Sequence, residues 1–186
     1  SPADIAIYAG AVGAGKTFAG LMSLAMGVHI PHYGAIAFRR TYPELTGAGS
    51  IWPESAKLLP SLGGVPRKSP VYEWTFPSGA TLTFGYLAKD QDKWQYQSAN
   101  FNYIAFDEAA EFPDEKIYTF LFSRLRRIEG SKIPPRMRLG SNPIGPGAIW
   151  LKKRFITFPN PIDEGEPCIL CEHVHFDVHL VADLHH

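Results

Sequence analysis

The sequence is short of several features that mark common classes of protein. Only two cysteines occur among its 186 residues, Cys168 and Cys171, which excludes a disulfide framework and fits a reducing compartment. It has no run of 18 apolar residues, and its N-terminus lacks a basic region followed by a long apolar stretch, so neither a membrane span nor a signal peptide is predicted. Internal repeats and low-complexity tracts are also missing. We therefore expect one continuous globular domain, located in the cytoplasm.

An excess of charge of one sign is missing as well, but the charges are segregated along the chain. Residues 1–115 carry eight Lys and Arg against eleven Asp and Glu, net −3; residues 116–154 carry ten against one, net +9; the last 32 residues carry six acids and no Lys or Arg, net −6. Because local potential steers association, a net charge of zero does not exclude a polyanionic partner. The alternative is three solvated faces.

Strand and helix patterns alternate along the chain. Short apolar or β-branched runs predict strands at 5–8, 35–40, 103–106 and 136–140, and a hairpin at 72–76 and 81–86. Helices are predicted at 16–28, 51–59 and 113–127, and a short basic helix or turn at 149–155. This order predicts an α/β fold with an open, mainly parallel sheet flanked by helices and an attached antiparallel hairpin.

The segment GAVGAGKT satisfies the pattern G-x-x-x-x-G-K-[ST] and lies between a predicted strand and a predicted helix. Its glycines allow successive N–H groups to point at phosphate oxygens, while Lys16 supplies charge for the β and γ phosphates and Thr17 an oxygen for Mg²⁺. A chance glycine-rich turn is the alternative. The expected nucleotide-binding residues are Gly10, Ala11, Val12, Gly13, Ala14, Gly15, Lys16 and Thr17.

Two further strand ends carry polar residues. The apolar strand at 103–106 ends in Asp107 and Glu108, which predicts a Mg²⁺ partner followed by a catalytic base or water-positioning carboxylate. The strand at 136–140 ends near Ser141 and Asn142, either of which would reach the γ phosphate or the attacking water. The alternatives are an acidic turn that caps a helix and an Asn-Pro turn without function.

Taken in order, these motifs resemble the ATPase domain of the large terminase subunit of tailed bacteriophages. The resemblance covers residues 5–158 and is carried by GAVGAGKT, FRRTYPEL, YEWTFPSGATLTF, FNYIAFDEAAEF, RLGSNP and WLKKRF. It implies a P-loop NTPase of the additional-strand catalytic-glutamate type, in which Lys16 and Thr17 belong to the Walker A motif and Asp107 and Glu108 to the Walker B motif. By the same resemblance, residues 140–142 are the motif that couples hydrolysis to movement.

The resemblance also implies what the protein works with. It implies ATP hydrolysis with Mg²⁺ by a homo-oligomeric ring that drives double-stranded viral DNA into a procapsid, with the portal protein and the small terminase subunit as partners. The ring would act in the host cytoplasm, at the portal vertex. We expect residues 1–158 to form the ATPase core and residues 159–186 a C-terminal extension or the start of a linker. Nuclease activity is not expected, because no segment is long enough for the nuclease domain that such proteins usually carry.

The arginine that would stabilise the transition state has several candidates. Arg124 and Arg126 are predicted in the helix after the Walker B motif, and Arg39 and Arg40 follow the second strand. In some relatives, an arginine that acts on the neighbouring subunit precedes the Walker B motif, but that stretch here (residues 92–100) offers only Lys93. Salt bridges or subunit contacts are the alternative roles for these arginines.

Two other groups of residues suggest ligands. Lys152, Lys153 and Arg154 are candidate DNA contacts, because a motor that grips DNA without reading its sequence needs phosphate contacts. Near the C-terminus, ligand types and spacing suitable for Zn²⁺ are found in Cys168, Cys171, His173 and His175. The histidines would instead be strand residues on one face if the segment is extended.

Two other functions compete with the packaging motor. One is a helicase-like, nucleic-acid-dependent P-loop ATPase, which normally needs a second ATPase domain that 186 residues cannot contain. The other is a nucleotide-dependent assembly module that hydrolyses little ATP alone. The adjacent Asp107 and Glu108 argue against pure binding.

Overall fold

A single eight-stranded sheet organises the computed structural model, which describes residues 4–10, 15–129, 133–156 and 176–181. The strands are β1 (Ile5–Gly10), β2 (Gly34–Arg39), β3 (Val65–Arg67), β4 (Tyr72–Thr75), β5 (Thr81–Tyr86), β6 (Tyr103–Phe106), β7 (Arg136–Ser141) and β8 (Phe176–Val181). Their spatial order is β3-β4-β5-β2-β6-β7-β1-β8. The six strands from β5 to β8 in this order pair in parallel, and β3 and β4 pair antiparallel. The predicted parallel sheet with an attached hairpin is confirmed.

Helices cover both faces of this sheet. The α-helices are α1 (Lys16–Ala25), α2 (Tyr42–Thr46), α3 (Ile51–Leu58), α4 (Lys116–Phe122) and α5 (Ala148–Phe155). Short 3₁₀ turns cover Leu59–Leu62, Asp90–Tyr96 and Ala109–Glu111. Among the described residues, none of the helices is long and apolar enough to cross a lipid bilayer.

Two apolar cores result from the alternation of side chains along the strands. In β2, Ile36 and Phe38 pack with residues of α4 and α5, whereas Ala35 and Ala37 pack with residues of α1 and α3 on the opposite face. Both faces of the central strands are therefore buried. This burial explains why the central strands read as continuous apolar runs in the sequence.

The prediction of one helix over residues 113–127 was wrong at both ends. Helix α4 begins at Lys116, whose N–H donates to the side chain of Asp114, so Pro113 lies before the first turn. It ends at Phe122, and Leu125 then forms a parallel bridge with Phe101. The N–H groups of Arg124 and Leu125 close turns on Leu121 and Phe122, and the N–H of Arg126 donates to the carbonyl oxygen of Phe101 instead of continuing the helix.

The strand β8 extends the sheet beyond β1. Its residues pair in parallel with β1 from Ile5↔Phe176 to Gly10↔Val181. This strand lies in the segment predicted as a C-terminal extension or the start of a linker, and the domain boundary near residue 158 stays a prediction.

Candidate active site

The polar residues that follow four neighbouring parallel strands meet at one edge of the sheet. The register pairs Phe38 of β2 with Phe106 of β6, Phe106 with Leu139 of β7, and Ser141 with Ala9 of β1. Because the strands are parallel, the residues after them lie side by side. Sequence-distant motifs thus form a single site.

Helix α1 begins at this edge with Lys16. Gly15 precedes it with φ 74°, in the left-handed region that favours glycine, and shows that the chain turns sharply into the helix. The Lys16 ammonium donates to the carbonyl oxygen of Gly10 at 2.9 Å and to Oδ1 of Asn142 at 2.8 Å. Residues 11–14 of the predicted phosphate loop lie outside the described residues.

Asp107 is held at both carboxylate oxygens. Thr17 Oγ1 donates to Oδ1 of Asp107 at 3.2 Å, and Nε of Arg39 lies 3.5 Å from Oδ2. The backbone is fixed as well, since the N–H of Asp107 donates to the carbonyl oxygen of Phe38 at 2.9 Å. Only 7% of the residue is exposed. The predicted pair of Thr17 and Asp107 is therefore assembled in a largely dry environment.

Burial raises the pKa of both acidic groups, and nearby positive charges oppose it. Burial raises the pKa of Asp107, against the lowering effects of Arg39, the Thr17 hydroxyl and Lys16. Burial, followed by the repulsion of the Asp107 carboxylate, raises the pKa of Glu108, against lowering effects from Arg39, Lys16 and the N–H of Asn142. Glu108 thus holds its proton more tightly than an ordinary glutamate.

Glu108 has a strained backbone. Its φ and ψ are 56° and 58°, in the left-handed region that non-glycine residues rarely adopt. Such a conformation costs on the order of 1–3 kcal/mol and is found preferentially at functional sites. This conformation turns the chain out of the extended path of β6 and into the 3₁₀ turn Ala109–Glu111. Glu108 therefore stays at the edge of the sheet beside Asn142.

The tip of β7 joins Lys16 to Glu108 through Asn142. The Asn142 side chain accepts from Lys16, and its backbone N–H bonds to the Glu108 carboxylate. Ser141 is 1% exposed, and its hydroxyl donates to the carbonyl oxygen of Asn142. Of the two predicted residues, the structure brings the Asn142 side chain to Lys16.

The loop after β7 packs on the turn that follows Glu108. The N–H of Gly147 donates to the carbonyl oxygen of Ala110 at 2.7 Å, and Nε1 of Trp150 donates to that of Phe112 at 2.7 Å. A Cβ on Gly147 would lie 2.1 Å from the Phe112 oxygen. Sequence reasoning did not identify this contact, although the glycines in the stretch IGPG were a signal of close backbone approach.

The four candidate arginines lie in different places. Arg39 is part of the site through Asp107, whereas Arg40 turns away, donating to the carbonyl oxygen of Leu87 and lying over the ring of Phe112. Arg124 and Arg126 follow α4 instead of lying within it, and their backbones pair with Phe101 before β6 begins. An extended backbone separates Phe101 from Asp107 by about 20 Å. The structure therefore brings only Arg39 to the carboxylates.

The candidate DNA contacts on α5 also differ from one another. Lys152 and Lys153 are exposed. Arg154 instead pairs with Glu115 at 3.0 Å and lies over the ring of Tyr118, 4.7 Å from its centroid. Its guanidinium is therefore already engaged within the domain.

The candidate zinc ligands Cys168, Cys171, His173 and His175 lie outside the described residues. Within the part of the chain that the structure describes, no group of three or more His, Cys, Asp or Glu side chains could hold a metal ion. The zinc site stays a prediction.

Solved structures of other phage packaging proteins share the fold of this chain. The ATPase domain of the Thermus phage P74-26 large terminase superposes with a TM-score of 0.57 at 15% identity, over 97% of this chain and 76% of that chain. The N-terminal domain of the DNA packaging ATPase from bacteriophage phi29 gives 0.52 at 17% identity, over 88% and 94%.

A large terminase from a thermophilic bacteriophage gives a TM-score of 0.59 at 23% identity, over 81% of this chain and 36% of that chain. The present chain thus spans about a third of the length of that protein, which has also been solved in complex with ADP. Among functionally curated proteins, none matches this sequence.

The family of this chain is assigned by a family model, because structures of such low identity show only the fold. Residues 7–132 match the model described as the N-terminal region of the terminase large subunit, T4-like virus type. This match covers more than half of the chain and includes Lys16, Thr17, Asp107 and Glu108. The chain therefore belongs to the family of phage terminase large subunits, within which it corresponds to the N-terminal region.

Proposed function

We propose that this chain is an ATP-hydrolysing motor domain that drives double-stranded viral DNA into a procapsid. The observation that carries the proposal is the convergence of Lys16, Thr17, Asp107, Glu108 and Asn142 at one edge of the sheet. The family match and the ADP complex of a related terminase support nucleotide binding by this chain.

Thr17 and Asp107 fit a magnesium ion. Both offer oxygen ligands, and Thr17 Oγ1 and Asp107 Oδ1 lie 3.2 Å apart. Mg²⁺ is commonly held by one or two carboxylates together with substrate phosphates and waters, so a larger protein cage is not needed. When bound, Mg²⁺ would neutralise charge on the β and γ phosphates. Lys16 would bind the same phosphates after leaving Gly10 and Asn142.

Glu108 is proposed as the catalytic base. Its raised pKa makes the carboxylate a better proton acceptor than an ordinary glutamate, and the strained backbone keeps it next to Asp107. The N–H of Asn142 orients the carboxylate. In this arrangement Glu108 would take a proton from the attacking water, while Lys16 stabilises charge on the phosphates.

Asn142 is proposed to report the state of the nucleotide. It contacts Lys16 through its side chain and Glu108 through its backbone, and the loop that follows it packs on residues 110–112. A change in the position of Lys16 would therefore alter its contact with Asn142 and, through Asn142, the position of this loop. This supports the assignment of residues 140–142 as a coupling motif.

The sheet order supports the additional-strand catalytic-glutamate type of P-loop fold. β7 lies between β1, which leads into the phosphate loop, and β6, which ends in Asp107. We propose β7 as the additional strand and Glu108 as the glutamate of this type.

A neighbouring subunit is proposed to supply the arginine that acts on the transition state. Arg124 lies at the far edge of the sheet, and its guanidinium donates to the carbonyl oxygen of Gln97, so within one subunit it is remote from Asp107. In a ring, that edge could face the next active site. Double-stranded DNA, the portal protein and the small terminase subunit are the proposed partners, with Lys152 and Lys153 as exposed candidate DNA contacts.

ATPase turnover measured with and without double-stranded DNA tests this function, using wild type, Glu108→Gln and Glu111→Gln. Glu111 is exposed on the following 3₁₀ turn and provides the matched control. We expect E108Q to lose at least about 100-fold in turnover, in the range typical of general-base removal. E111Q should behave like wild type. Full turnover in E108Q would overturn the catalytic assignment.

A further inference from the structure

Arg39 lies between the active site and helix α2. It is the last residue of β2, with 16% of its side chain exposed. Its Nε donates to the carbonyl oxygen of Glu44 at 3.3 Å and lies 3.5 Å from Oδ2 of Asp107. The same nitrogen therefore contacts both a backbone oxygen of α2 and the buried carboxylate.

The Glu44 carbonyl belongs to a rigid helix start. Thr41 and Glu44 form a reciprocal capping box: the Glu44 N–H donates to Thr41 Oγ1 at 3.4 Å, and the Thr41 N–H donates to Glu44 Oε2 at 3.1 Å. Leu45, the next residue, is 1% exposed and anchors the helix in the core. The capped start of α2 thus fixes the carbonyl oxygen that accepts from Arg39.

Arg39 engages the oxygen of Asp107 that Thr17 does not use. Thr17 meets Oδ1, whereas Arg39 meets Oδ2, so the two contacts together fix the rotation of the carboxylate. With Thr17 alone, the terminal torsion of an aspartate has a broad minimum and would let the carboxylate turn.

We propose that Arg39 is a positioning residue that orients the Asp107 carboxylate for the metal ion. The proposal rests on the proposed function, because it assigns Mg²⁺ to Asp107. It separates Arg39 from the role of an arginine that stabilises the transition state. In that role, the guanidinium would contact the phosphates. Here it contacts Oδ2 of Asp107, the carboxylate oxygen that Thr17 does not contact. Outer contacts of this kind typically change metal affinity 10- to 100-fold.

The test uses the full chain with ADP and Mn²⁺, a paramagnetic substitute for Mg²⁺ whose free concentration is read by electron paramagnetic resonance. Binding is compared in wild type, Arg39→Gln, Arg39→Lys and Arg40→Gln. R40Q removes the same charge at the next residue, whose guanidinium points to Leu87 and Phe112 instead of the site. ADP affinity without metal and the melting temperature are measured alongside.

We expect R39Q to weaken Mn²⁺ binding by at least about 10-fold. ADP affinity without metal should be unchanged, and R40Q should match wild type. R39K should be intermediate, because an ammonium restores the charge but not the planar guanidinium that carries the Nε contacts. Wild-type Mn²⁺ affinity in both R39Q and R39K would overturn the inference, and so would a parallel loss of metal-free ADP binding in R39Q.

The same experiment separates this inference from the proposed function. If wild type binds ADP and Mn²⁺ but R39Q binds them equally well, only the inference fails. If wild type binds neither, the proposed function fails and this inference fails with it.

Discussion

At the residue scale, the site is built from charges that are costly to bury. Asp107 lies in the interior with Thr17, Arg39 and Lys16 around it, and each of these groups lowers the cost of keeping the carboxylate ionised. Glu108 has less compensation: its carboxylate is repelled by Asp107 and its backbone is strained. Burial, repulsion and backbone strain at Glu108 therefore lower the stability of the fold, as the proposed catalytic role would require.

This imbalance predicts the effect of pH on stability. The folded-state pKa of Glu108 is raised above its unfolded value, so its proton stabilises the folded state; that contribution is complete below the unfolded pKa and is lost as pH rises through the folded pKa. Replacing Glu108 by neutral glutamine removes this loss. We therefore expect E108Q to melt at a higher temperature than wild type at neutral pH, with the difference shrinking as the pH falls.

Thermal denaturation across the acid to neutral range measures this effect. E111Q, at an exposed position, is the control and should follow the wild-type curve. A neutral-pH melting temperature of E108Q below that of wild type would show that contacts of the carboxylate outweigh its burial.

At the element scale, two glycines differ in whether their surroundings leave room for a Cβ atom. Gly147 lies where the loop after β7 meets the turn after Glu108, and a Cβ there would overlap the Phe112 oxygen. Gly20 lies inside α1, where a Cβ would meet no atom within 4 Å. Close backbone packing explains the first glycine, whereas nothing in the structure requires the second.

We expect Gly147→Ala to destabilise the fold by about 1–3 kcal/mol, as overpacking does, and to lower turnover because the displaced loop carries Asn142. Gly20→Ala should stabilise the fold by about 0.5–1 kcal/mol through helix propensity. Denaturant unfolding of both variants, together with ATPase turnover, measures these effects. An unchanged turnover in G147A would mean that the contact does not position Asn142.

At the scale of the whole molecule, the described part of one subunit places a single candidate arginine, Arg39, beside the carboxylates. Arg124 and Arg126 lie at the opposite edge of the sheet, close to Phe101. If Arg124 acts on the neighbouring site, catalysis requires assembly, and turnover per subunit should rise with protein concentration.

Mixing two inactive variants tests this directly. Arg124→Gln would lack the donated arginine and Glu108→Gln the catalytic base, so each should be inactive alone. In mixed assemblies, some sites combine an intact Glu108 with an intact Arg124 from the next subunit, and turnover should partly return. Continued inactivity of the mixture, with assembly confirmed by light scattering, would count against Arg124 acting on a neighbour. Arg127→Gln offers a control for loss of charge in the same segment.

Much of this protein was predictable from short stretches of sequence. The strand at Tyr103–Phe106 and the antiparallel pair at β4 and β5 were identified correctly, because buried runs and turn residues impose local patterns. Lys16 and Thr17 could be predicted as site residues because the glycine-rich loop is itself local, and the structure places them beside Asn142 and Asp107. The extent of α4 was not, since its end depends on Leu125 pairing with Phe101 and not on the helix's own residues.

The amino-acid sequence by itself determined most of the order of strands and helices, with α2 and β3 missed, and it placed the carboxylates Asp107 and Glu108 directly after an apolar run. Only the tertiary structure decided that Asn142 contacts Lys16, that Arg39 rather than Arg40 supports Asp107, and that Arg124 lies far from both. The reason is physical: local propensity acts over a few residues, whereas these contacts join residues far apart in the chain. The proximity of Asn142 to Lys16 follows from β7 lying beside β1, and that of Arg39 to Asp107 from β2 lying beside β6, a sheet order set by packing of the whole domain.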